Sequence, residues 1–130
     1  MFKMVYNILI NKGGNTMKCT IVAKLLLQVK KLFSTFIQQK SGILMSYSFK
    51  SDDENTFYIS FVINTNDYDQ NTKIVKDFMQ KYNLDKYVKL EKINHIKTNN
   101  YMETVLTLKM TAKGKRNQNK LLTTLRMKED

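Results

Sequence analysis

The stretch TAKGKRNQNKLLTTLRM, residues 111–127, decides what kind of fold this chain has. Its first ten residues are polar, strongly basic and free of acids. They follow YMETVLTLKM (101–110), whose apolar and polar residues alternate as in a half-buried β-strand. Ten solvated residues after a strand predict a long loop that adds nothing to a core. LLTTLRM (121–127) then reads as a short, frayed apolar tail. On that reading residues 111–130 form a basic extension from a compact body.

Working back from it, the same alternation recurs. YVKLEKINHI (87–96) and YMETVLTLKM pair as strands across KTNN (97–100), and GILMSYSF (42–49) and TFYISFVIN (56–64) pair across the acidic turn KSDDEN (50–55). Between the hairpins, Ile74, Val75, Phe78, Met79 and Tyr82 recur at helical spacing, with Asp69 or Asn71 as the expected cap. Upstream, Val22, Leu25, Leu26, Val29, Leu32, Phe33, Phe36 and Ile37 form a longer stripe, predicting a helix over about 17–40. Before it lie NKGGNT (11–16), which has loop chemistry, and MVYNILI (4–10), an apolar run suited to a strand or a helix start. The expected fold is α+β: a ferredoxin-like antiparallel sheet, two helices on one face and a long basic C-terminal extension. The expected organisation is a basic segment with an amphipathic helix (1–50), an α+β core (51–110) and the extension (111–130).

The charge is segregated. The 130 residues carry 22 Lys and Arg against 11 Asp and Glu, a net charge of +11. Residues 1–50 hold eight lysines and no acid, and residues 109–128 hold seven basic residues and no acid. The middle is nearly neutral. A surface tuned only for solubility mixes its signs, so the two basic ends point to a polyanionic partner. No run is long and apolar enough for a membrane span, because Lys24, Lys30 and Lys31 interrupt the best candidate.

Catalytic and metal constellations are not expected. One cysteine, Cys19, excludes an intramolecular disulfide, and with a single histidine, His95, it cannot complete a standard zinc site. The acids sit in turns, caps and strands rather than as a pair in a cleft. NKGGNT lacks the Lys-Ser/Thr ending of a phosphate loop, and SDDE lacks the ligand ladder of a calcium loop. The expectation is a binding or structural protein, not an enzyme, with no cofactor.

The C-terminal half resembles the tenth protein of the small ribosomal subunit, in its bacterial and organellar family. The resemblance is carried by DYDQNTKIV (67–75), Thr98, Thr104, Val105 and Leu106, then Lys113, Arg116, Gln118, Thr123 and Arg126. It departs from the family at TLK (107–109), Asn119, Lys120 and Thr124, and in ending at Asp130. The resemblance implies a basic hairpin reaching rRNA and neighbouring proteins of the subunit head. The contacts would come from Lys109, Lys113, Lys115, Arg116, Asn117, Gln118, Lys120 and Arg126. A second stretch, NILINKGGNTMKCTIVAKLL (7–26), resembles the opening of the seventh protein of that subunit. Together with the Lys- and Asn-rich composition, these imply an rRNA-binding constituent of a small ribosomal subunit in mitochondria. The alternative is a small ferredoxin-like regulatory or ligand-binding domain in the cytoplasm of a low-GC bacterium or phage.

Overall fold

The structure is a computed structural model that describes residues 16–65, 68–97 and 102–129. The expectations for 4–15, for Thr98 and for the side chain of Cys19 lie outside the described residues. The elements run α1 (Thr16–Gln39), β1 (Ile43–Ser51), β2 (Thr56–Asn64), a 3₁₀ turn (Tyr68–Gln70), α2 (Asn71–Lys81), β3 (Val88–Lys97), β4 (Met102–Thr111) and α3 (Gly114–Met127). The strands form one antiparallel sheet in the order β1-β2-β4-β3. The fold is therefore α+β, and the described residues form three helices and a four-stranded sheet.

Two expectations differ from this. Among the described residues the element order is αββαββα with sheet order β1-β2-β4-β3, and a ferredoxin-like topology is not shown. And most of the expected extension is helix: α3 buries Gln118, Leu121, Leu122 and Leu125, the i, i+3, i+4, i+7 stripe of a helix lying on a core. That stripe is hard to see because its first place is a glutamine. Gly114 makes the corner into α3 at φ +80, a conformation costly for any residue with a Cβ. Its N–H donates to Asn55 Oδ1 (3.0 Å), and the Ala112 N–H donates to the Asn55 carbonyl (2.9 Å).

One hydrophobic cluster joins α1, the sheet, α2 and α3. The α1 stripe is buried as its spacing predicts, from Val22 to Ile37. Phe33 is the centre: its ring stacks on Phe61 of β2 (4.5 Å between centroids) and meets Phe78 of α2 edge-on (5.0 Å). Aromatic pairs of this geometry add about 0.5–1.5 kcal/mol beyond area burial. Ile74 is partly buried against the same cluster. At the end of α1, a Cβ on Gly42 would come within 2.7 Å of Ile37 Cγ2 and 2.9 Å of Thr65 Cγ2, so only glycine lets β1 begin so close to the helix. α1 is also tied by polar contacts to the segment just past α3. Glu129 pairs with Lys31 and accepts a hydrogen bond from Gln28 Nε2 (3.0 Å).

From β1 to α3 the described residues form a structural repeat. Ser60 and Thr107, 47 residues apart, face each other on β2 and β4 with their hydroxyls 3.2 Å apart. A shift by that separation carries the buried Phe57, Ile59, Phe61 and Ile63 onto the buried Thr104, Leu106, Leu108 and Met110. It also carries Asn71, Val75 and Phe78 of α2 onto Gln118, Leu122 and Leu125 of α3. Each hairpin has one irregularity in register, between Leu44 and Ser46 and between Leu90 and Lys92. Two ββα units thus meet along the β2–β4 seam.

Each unit buries one carboxamide. Asn71 does not cap α2; the cap residue is Gln70, with no side-chain cap bond. Asn71 instead accepts from Thr65 Oγ1 (2.6 Å) and donates to Thr104 Oγ1 (2.7 Å), which also contacts His95 Nδ1 (2.9 Å). In the second unit Gln118 Nε2 donates to the carbonyls of Glu54 (2.8 Å) and Ala112 (3.0 Å).

Candidate nucleic-acid interface

The expected RNA-binding residues do not all come together. Lys113, Lys115, Arg116, Asn117, Lys120 and Arg126 are exposed on or beside α3, in the helical layer. Asn117 donates to the Lys113 carbonyl (2.7 Å), within its own first turn. Gln118 is 3% exposed, with its amide spent on two backbone carbonyls, so it offers nothing to a ligand. Lys109 is elsewhere, on the face of the sheet that, among the described residues, the helices leave bare.

That face has a regular build. In β2 the residues at 57, 59, 61 and 63 are buried under the helices, and in β4 those at 104, 106, 108 and 110. Their neighbours must therefore point to the other side. Register then assembles rungs across all four strands. Lys50, Tyr58, Lys109 and Lys89 form one; Ser48, Ser60, Thr107 and Lys92 form the next; Ser46, Val62, Val105 and Asn94 form a third. With neighbouring strands about 4.8 Å apart, a rung spans about 14 Å.

Charge on this face is unbalanced. Lys89 is directly opposite Lys109, a like-charge pair that costs stability when nothing lies between. Lys50 and Lys92 add two more cations. Glu103 lies at the far end, opposite Ile96. Asp52 stands at the rim, beside Lys50, Tyr58 and Ser60 in a shallow hollow. Asp53 is occupied in the turn itself: its Oδ1 accepts from the N–H groups of Asn55 (2.7 Å) and Thr56 (2.8 Å). The Asn55 hydrogen bond leads in holding its carboxyl below the usual range, and Lys109 adds a weaker pull in the same direction.

Among the described residues no three His, Cys, Asp or Glu side chains are grouped to hold a metal ion. No described helix is long and apolar enough to cross a membrane. Lys109 is among the residues expected from the sequence; Lys50, Lys89 and Lys92 are not. Each reads as an ordinary strand lysine, and only the strand pairing shows that they share a face. Comparison with known proteins finds no match among family models, curated proteins or solved structures.

Proposed function

We propose that the protein binds a nucleic-acid duplex on the bare face of its sheet, as a binding protein and not an enzyme. The observation that carries this is the Lys89–Lys109 pair set across two strands with Lys50 and Lys92 beside it. A phosphate between such cations turns a repulsion into two attractions, and releases counterions as it binds. The serine and threonine hydroxyls of the middle rung suit phosphate oxygens, sugars or base edges. The rungs hold a single aromatic, Tyr58, where a sheet that binds single strands stacks several bases on aromatic side chains. That favours a duplex.

A narrower reading is an rRNA-binding constituent of a mitochondrial small ribosomal subunit, packed among neighbouring proteins of its head. The observation in its favour is a second basic surface on α3: Lys113, Lys115, Arg116, Lys120 and Arg126, all exposed. A chain embedded in RNA would use both layers. Fluorescence anisotropy with duplex DNA, duplex RNA and single strands, at two salt concentrations, tests both readings. Affinity for one duplex that falls steeply with salt supports the general reading. A preference for structured RNA that needs both basic surfaces supports the narrower one. Binding that ignores salt contradicts both.

A further inference from the structure

A groove of about 430 Å³ lies in the helical layer, between the α2–β3 connection and α3, away from the bare face of the sheet. Lys120 of α3 and Lys128, the residue that ends it, line one side, and Lys86 on the connection lines the other. Among the described residues none of these three ammonium groups is in an ion pair. Asp85 and Tyr87 complete the connection's side. This wall is held by its backbone: the N–H of Leu84 donates to the Met79 carbonyl (2.7 Å), those of Tyr87 and Val88 to the Leu84 carbonyl, and the Thr111 N–H to the Tyr87 carbonyl. Asn83 takes the left-handed turn at φ 53 that directs the chain into it. A groove walled by fixed backbone loses little freedom when a ligand enters.

We propose that this groove binds a nucleoside monophosphate group. The chemistry of its lining divides as such a ligand does. Three lysines in its lining suit a dianionic phosphate, one carboxylate suits sugar hydroxyls, and a half-buried tyrosine offers a ring to a base. The volume is that of a small-molecule site. The group could belong to a free nucleotide or to the phosphorylated end of a nucleic-acid strand, and the site does not depend on the sheet face.

The test is a calorimetric titration of the full chain with AMP, adenosine and a 5′-phosphorylated dinucleotide. AMP should bind saturably, and adenosine at least about tenfold more weakly, since the phosphate supplies the charge term. Lys120→Ser with Lys128→Ser should raise the AMP Kd about tenfold or more. Lys86→Ser, on the opposite wall, should weaken binding in the same direction and is an independent check should the double variant lose stability. Lys89→Ala with Lys109→Ala should leave the Kd unchanged. Tighter binding of the dinucleotide than of AMP assigns the site to strand ends, and the reverse to free nucleotides. Equal affinity for AMP and adenosine, or a Kd that follows the sheet lysines and ignores the groove lysines, overturns the proposal.

Discussion

α2 and α3 close two hairpins of the same build, yet they contribute differently. α2 buries Val75, Phe78 and Met79, and its Phe78 ring touches Phe33, Phe36 and Tyr82. Its exposed side includes an internal ion pair, Lys73 with Asp77 (2.8 Å). α3 buries three leucines and a glutamine, and its exposed side holds Lys115, Arg116, Lys120 and Arg126 with no acid. One helix is anchored by aromatic packing. The other is held by a lighter apolar stripe and by hydrogen bonds to the first hairpin's turn, and it displays charge. Repeating a ββα unit thus fixes where a helix lies while leaving its outer surface open to change.

The largest effects should fall on the ring cluster. Phe78→Ala is expected to cost about 3–5 kcal/mol, and its counterpart Leu125→Ala about 2–4 kcal/mol, measured by denaturant melts. A loss below about 1 kcal/mol at Leu125 would mean that α3 does not pack as its partner does. Next in size is Gln118→Ala. It leaves the Glu54 and Ala112 carbonyls without their side-chain donor and should cost about 1–3 kcal/mol. If Gln118→Ala is neutral while Asn71→Ala is costly, the equivalence of the two buried carboxamides fails.

These contrasts explain what could be read from the sequence. α1, α2 and both hairpins follow from apolar spacing alone, because each stripe is built from side chains that have no other use. α3 does not. Its stripe begins with Gln118, whose partner Glu54 is 64 residues away, and its first turn is basic where a helix start favours acids. The solvated-loop reading follows from composition, and composition cannot anticipate a turn that offers a carbonyl. The rungs of the bare face were hidden for a related reason. Lys89 meets Lys109 only because β3 pairs with β4 in one register, with its irregularity falling between Leu90 and Lys92.

Smaller effects test the charged side. Lys113→Ala, Lys115→Ala and Arg116→Ala together should leave the stability within about 0.5 kcal/mol, or raise it slightly, because cations near a helix N-terminus oppose its dipole. An unfolded triple variant would show that these residues belong to the packing. Acid should reveal Asp53 and Glu129. Hydrogen bonds hold both folded pKa values below the ordinary 3.8 and 4.5, led by the Asn55 N–H for Asp53 and by Lys31, then Gln28, for Glu129. Their contribution is full above those ordinary values and is lost as pH falls through the lower folded ones. Asp53→Asn with Glu129→Gln should therefore flatten the fall in Tm below about pH 4.5. An unchanged acid limb would contradict the role given to both.

The central claim, that the bare sheet face is where nucleic acid binds, has one direct measurement. Duplex affinity is followed against salt for the native chain, for Lys89→Ala with Lys109→Ala, and for the α3 triple variant. The expected salt slope is about two units shallower in the sheet variant, one for each lost phosphate contact, with the triple variant close to native. Native-like slope and affinity in the sheet variant, with the loss appearing instead in the α3 variant, would contradict it.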